Sequence, residues 1–274
     1  MASPKVFVAE FIGTFALVFV GAAAGLYNVG LLGIALAHGL TLAVFAYTYG
    51  YISGSHINPA VTLGLAANGN IKWSDAAVYW VAQFSGGALA AFLLKTFVSQ
   101  IDAKAIAGMA TNGVLTADHS YYALGLEALL TFFLVNTVLH TAVGGKAGPF
   151  AGWAIGTTLA IAILAGGPLT GASLNPARSF GPAIFTEAIK AGTPDWQNPM
   201  LYLIYFVGPF IGAILAVLVY QLLSAESAVV EEDMSEPEIE SAVEEEEPMQ
   251  RVAEAPKAKT RSKPTLHVKA RRSK

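Results

Sequence analysis

Ile52-Ser53-Gly54-Ser55-His56-Ile57-Asn58-Pro59-Ala60 and Leu169-Thr170-Gly171-Ala172-Ser173-Leu174-Asn175-Pro176-Ala177 are two copies of one pattern, set 117 residues apart. Asn caps helix N-termini well and Pro is favoured at the first helical position, so each Asn-Pro-Ala reads as a helix start. In both copies it follows a Gly-containing segment that does not read as helix. The apolar pieces that come next, about 59–67 and 176–187, are too short to cross a hydrocarbon core of about 30 Å. They are expected to be half-helices.

The surrounding chain has the composition of a membrane protein. Of 274 residues, 54% are hydrophobic and 13% charged, where a soluble domain carries about 25% charge. Six apolar runs of spanning length are expected near 6–26, 33–52, 76–98, 122–142, 149–167 and 200–223. The first resembles a signal peptide in outline, but Glu10 lies inside it and the run recurs later, so it reads as a span. The fold class expected is all-α, with six transmembrane helices and two re-entrant half-helices.

Shifting the sequence by 117 also brings Glu10 onto Glu127, Thr14 onto Thr131, Phe15 onto Phe132, Leu17 onto Leu134, Val18 onto Val135 and Gly54 onto Gly171. The chain is therefore an internal duplication, with repeats at about 5–98 and 122–223. Three spans per repeat is an odd number, so the second repeat enters the bilayer from the opposite side. Inverted repeats place sites near the midplane. The pairs Gly21/Gly25, Gly152/Gly156 and Gly208/Gly212 are candidates for close helix crossings.

Residues 1–223 are expected to form the membrane domain and 224–274 a charged, disordered cytoplasmic tail. The first part holds seven Lys/Arg and seven Asp/Glu, the tail nine and twelve, so the net charge of −3 belongs to the tail. Lys5, Lys72 and Lys146 fall on one side of the expected topology, and Lys95, Lys104 and Lys190 on the other. Arg251 and the Lys/Arg run from Lys257 to Lys274 tip the balance, and both termini are expected in the cytoplasm of a multi-pass cell-membrane protein. No Cys is present, the five His are scattered, and no nucleophile–base or metal-ligand grouping is visible. The expectation is no enzyme, no metal, no cofactor and no nucleic-acid partner.

Irregular backbone at membrane depth is tolerated where it is buried or lines a wet cavity. If the half-helices enter from opposite faces, their partially positive N-termini meet near the middle and repel cations. Asn58 and Asn175 then offer amide donors, and the preceding loops offer carbonyls. A water whose oxygen accepts from both amides cannot take a proton from its neighbour, which interrupts proton hopping. Arg178 is a cation inside an apolar repeat and reads as functional, at a constriction. Glu10 and Glu127, each 48 residues before its Asn, read as supports for the bent loops.

With both motifs, the contexts Ser-Gly-Ser-His-Ile-Asn-Pro-Ala-Val-Thr and Asn-Pro-Ala-Arg-Ser-Phe-Gly-Pro, and the repeat Glu residues, the chain from about 5 to 223 resembles the aquaporins of the major intrinsic protein family. The resemblance implies a homotetramer in the lipid bilayer, with a pore through each subunit for water and small neutral solutes. It implies pore motifs Asn58-Pro59-Ala60 and Asn175-Pro176-Ala177, and a constriction mapped by spacing to His38, Ile163, Ala172 and Arg178. That set departs from the Phe and His of typical water channels and is similar to plant tonoplast intrinsic proteins, some of which pass ammonia, urea, glycerol or hydrogen peroxide. Ser179, Ala183, Tyr205 and Phe206 stand where glycerol facilitators carry other residues, which favours water. The competing readings are a glycerol or ammonia facilitator, an ion-coupled transporter on inverted repeats, and a scaffold acting through the tail.

Overall fold

The computed structural model describes residues 2–27, 29–99, 109, 113–185, 197 and 199–233. Among them the regular elements are all helices: α1 Pro4–Leu26, α2 Gly30–Ser53, α3 Pro59–Ala67, α4 Trp73–Ser99, α5 Val114–Asp118, α6 Ser120–Val138, α7 Ala151–Thr170, α8 Pro176–Phe185, α9 Pro199–Tyr202 and α10 Gly208–Asp233. A π-helical turn, Leu139–Val143, extends α6, and another, Leu203–Val207, joins α9 to α10. Six helical stretches are long and apolar enough to cross a membrane. Large apolar side chains remain exposed along them, including Leu32, Val44, Val81, Ile161 and Leu218. A water-facing monomer rarely shows apolar surface on that scale.

The six expected spans and both half-helices are present, with shifts at the ends. The last helix runs to Asp233, ten residues past the boundary expected at 223, because the Ala, Glu and Val residues beyond Leu223 continue the helix without a breaker. The rest of the tail, 234–274, and Lys104, Lys190 and residues 186–187 of the second half-helix lie outside the described residues.

Helix packing repeats across the duplication. α1 packs on α2 and α4, and α6 correspondingly on α7 and α10. Each half-helix reaches over to the other repeat, α3 onto α10 and α8 onto α4, while α2 and α7, counterparts in the two repeats, pack on each other. These cross-contacts hold the two motifs together at the centre. The main apolar core lies around them, from Leu17 and Leu42 through Ile57, Val61 and Leu134 to Leu159 and Leu174.

Glycine sets the closest helix approaches. A Cβ on Gly39 would fall 2.6 Å from Gly156 O, one on Gly156 2.4 Å from Gly39 O, and one on Gly212 2.1 Å from Ala128 O. Gly156, Gly208 and Gly212 therefore act at helix crossings as expected, whereas Gly21 meets a side chain, His38. Replacing Gly156 with Ala should separate α2 from α7 and destabilise the fold by about 1–3 kcal/mol, the usual cost of overpacking. Thermal unfolding followed by tryptophan fluorescence would check this; an unchanged midpoint would contradict the packing argument.

Candidate functional site

The site is built from the two loops, Gly54–Asn58 and Gly171–Asn175. α2 ends at Gly54 (φ 80°) and α7 at Gly171 (φ 84°), both in the left-handed region, where glycine is the least strained residue. The left-handed conformation then recurs at Ser55 (φ 50°) and Ile57 (φ 40°), and at their counterparts Ala172 (φ 43°) and Leu174 (φ 56°). Four non-glycine residues in this region cost about 1–3 kcal/mol each, so the surroundings must impose the conformation.

Two buried carboxyls impose it. Glu10 Oε1 accepts from Ser53 Oγ (2.6 Å) and the His56 amide (2.9 Å). Its Oε2 accepts from the Ile57 amide (2.6 Å) and Gln83 Nε2 (2.9 Å). Glu127 repeats the pattern, accepting from Thr170 Oγ1 (2.7 Å), the Ser173 amide (3.0 Å) and the Leu174 amide (2.8 Å). The peptides are trans. A trans peptide whose N–H points at the carboxyl turns its C=O the other way, so the carbonyls of Ser55 and His56, and of Ala172 and Ser173, face away from the glutamates. Two tyrosines tie down the helix ends before the loops: Tyr79 O–H donates to Ser53 O (2.6 Å) and Tyr205 O–H to Thr170 O (2.5 Å).

Each Asn uses its side chain twice. Asn58 is extended (φ −156°, ψ 121°), and its Oδ1 accepts from the Ala60 amide (2.8 Å), starting α3 with Pro59 at the first position. Asn175 Oδ1 accepts from the Ala177 (3.0 Å) and Arg178 (3.2 Å) amides. The Nδ2 groups cross over: Asn58 donates to Leu174 O (2.8 Å) and Asn175 to Ile57 O (2.9 Å). Every NH2 group has two hydrogens, and in each Asn one serves this link.

A cavity of about 40 Å³ runs beside the crossover, room for about three water molecules. It is lined by the apolar side chains of Leu17, Leu42, Val61, Leu134, Ile155 and Leu159 and by residues of the two loops with His38, Asn58, Asn175 and Arg178. A wider cavity of about 470 Å³ adjoins it, sharing Ala46, Gly54, His56, Val138, Ala142 and Ile155.

Of the four mapped constriction positions, His38 and Arg178 line the narrow cavity and touch each other, Arg178 Nε donating to His38 Nε2 at 3.2 Å. His38 Nδ1 lies 2.9 Å from Ile34 O, which requires the ring proton on Nδ1 and leaves Nε2 as the acceptor. Both ring nitrogens thus have protein partners, so His38 is less available to a solute than its type suggests. Ile163 and Ala172 are buried in the apolar cluster. Among the remaining predicted positions, Ser179 Oγ donates to Ser173 Oγ (2.6 Å), Ala183 is buried, and Phe206 stacks on Phe84 (centroids 5.7 Å).

Several supporting residues escaped the sequence reading. Ser53 and Thr170 coincide under the 117-residue shift, as do Thr62 and Ser179, so a fuller comparison of the repeats would have found them. Gln83, a buried amide in an apolar helix, was a visible anomaly. Thr62 Oγ1 donates to Asn58 O (3.1 Å) and receives Gln83 Nε2 (2.9 Å), and it lies 3.1 Å from His56 Nδ1. Tyr79 and Tyr205 do not coincide under the shift and gave no signal.

Comparison with known proteins matches this architecture. The family model for the major intrinsic protein matches residues 1–220, and the chain belongs to that family. It is 40% identical over 233 residues to aquaporin TIP1-2 of Zea mays, covering 80% of this chain and 85% of that protein. It is 39% identical over 243 residues to aquaporin AqpM of Methanothermobacter thermautotrophicus, covering 80% and 97%. Glycerol uptake facilitator protein-like 6 of Lactiplantibacillus plantarum is 39% identical over 223 residues, covering 80% and 98%. The aquaglyceroporin structure from Plasmodium falciparum shares the fold, with a TM-score of 0.69 at 23% identity, covering 82% of this chain and 98% of that one. The protein is a multi-pass membrane protein of a channel family.

Glu10 accepts four hydrogen bonds and Glu127 three. A Gln at either position turns an NH2 toward donors, and a buried donor left unmatched costs about 1–3 kcal/mol. Glu10→Gln should lower the unfolding midpoint more than Glu127→Gln. Equal midpoints for both variants and the parent would contradict the support role.

Proposed function

We propose that the chain is a passive water channel that also admits small neutral solutes such as ammonia, and excludes ions and protons. The observation that carries this reading is the Asn58–Asn175 crossover: two helix N-termini meet beside a cavity with room for about three waters, each with one amide hydrogen left over from the link. A passing water can accept from these amides and donate to the outward-turned carbonyls, which replaces its lost hydration. With its oxygen engaged twice, that water cannot relay a proton. The helix ends and Arg178 give the site a positive potential that opposes cations.

Glycerol, urea or hydrogen peroxide as a principal solute is the second reading. It is favoured by Ile163, which stands where typical water channels carry His, and by the likeness to a glycerol uptake facilitator-like protein. Ser179, Ala183 and Tyr205-Phe206, as they stand in this chain, support water. Membership of the major intrinsic protein family supports assembly into a homotetramer. The loop lysines divide evenly between the two sides, and Arg251 with the Lys/Arg run from Lys257 to Lys274, on the side of the N-terminus, supports a cytoplasmic placement of both termini.

Reconstituted into vesicles, the protein should raise osmotic water permeability well above that of empty vesicles, with a low activation energy and no proton leak. A panel of water, ammonia, urea and glycerol fluxes on the same sample separates the two readings. Water permeability at the empty-vesicle level would remove the first. The double variant His38→Ala with Arg178→Ala should open the cavity to urea and glycerol; unchanged fluxes in the folded variant would count against a constriction there.

A further inference from the structure

The His38 ring is held at three places, and two have been described: Nδ1 at Ile34 O and Nε2 at Arg178 Nε. The third is Gly21 on α1. A Cβ built there would fall 2.2 Å from His38 Nε2 and 2.5 Å from both Cδ2 and Cε1, against the 3.0 Å below which such atoms do not approach. The imidazole fills the space a methyl group would need.

Gly21 differs in this from the glycines at helix crossings. Gly39, Gly156, Gly181 and Gly212 each face backbone of a neighbouring helix, and their lack of a side chain sets helix spacing. The nearest atoms to Gly21 all belong to one imidazole, on the edge that meets Arg178.

The duplication supplies an independent comparison. Shifted by 117, Gly21, His38 and Arg178 fall on Val138, Ile155 and Val61. These three also line the narrow cavity. The two ends of a pseudo-symmetric site thus differ as a unit. One end carries a glycine, an imidazole and a guanidinium, and the other carries three branched apolar side chains. Where the imidazole is replaced by an aliphatic side chain, its seat is no longer a glycine.

The geometry points to Gly21 as a positioning residue of the constriction: it seats His38 back against α1, so that Nε2 meets Arg178 and the ring leaves the cavity open. A methyl at this position drives the ring off Arg178 and toward the cavity. This inference rests on the channel reading for its effect on flux, and on packing alone for its effect on stability.

The full chain is tested in vesicles as wild type, Gly21→Ala, His38→Ala and the double variant, with Gly125→Ala as a control because a Cβ there meets nothing within 4 Å. Gly21→Ala should lower water permeability per channel by about tenfold, the scale of an ordinary overpacking strain placed on the conducting conformation. The double variant should return to the level of His38→Ala, and Gly125→Ala should match wild type. Gly21→Ala conducting like wild type with the same solute ranking, or a double variant no better than Gly21→Ala, overturns the proposal. If Gly21→Ala does not fold, recovery of folding in the double variant supports the seat, and failure of both makes Gly21 a helix-packing residue and overturns it. A wild type that folds but passes no water removes the channel reading instead. The seat is then judged by unfolding midpoints: His38→Ala should cancel the loss caused by Gly21→Ala, and additive losses overturn the proposal.

Discussion

Backbone amides that leave a helix inside a membrane need partners, and in this protein those partners are two buried carboxyls. Glu10 and Glu127 take the amides of His56, Ile57, Ser173 and Leu174, which lie beyond the helix ends and have no helical partner. Burying a carboxyl is itself costly, and the cost is offset only because each accepts three or four hydrogen bonds. The left-handed residues of the loops, the outward carbonyls and the meeting of the two Asn side chains all depend on this exchange.

The loops would not meet without the packing that brings the repeats together. α3 rests on α10 and α8 on α4, so each half-helix is held by a span from the other repeat. The Asn58 and Asn175 amides then lock the two loops to one another's carbonyls. In the same groups, structural and proposed conducting roles coincide, since one amide hydrogen of each Asn closes the link and the other is left to the cavity side. Local geometry and solute chemistry are therefore coupled, and a defect in a supporting hydrogen bond is a defect in the site.

Much of this was legible in the chain. The apolar runs marked six spans, Asn58-Pro59 and Asn175-Pro176 marked two helix starts, and the 117-residue shift paired Glu10 with Glu127. Those signals are local or periodic, which is why they survive in one dimension. The end of α10 was less legible: the charged composition after Leu223 suggested an immediate loss of order, yet no Gly or Pro interrupts the helix before Asp233. Gln83, Tyr79 and Tyr205 support the loops from distant helices and obey no common spacing.

By itself the sequence determined the membrane class, the inverted duplication, the re-entrant half-helices and the polar residues of the centre, because hydropathy and capping chemistry are properties of neighbouring residues and the repetition keeps one fixed offset of 117. Only the tertiary structure decided which hydrogens those residues spend on one another. It turned His38 toward Ile34 and Arg178, placed Ile163 and Ala172 in the apolar cluster, and set the His38 ring in the space left by Gly21. Such choices depend on contacts between helices far apart in the chain, where a hydrogen bond or a missing methyl group has no signature in the order of residues.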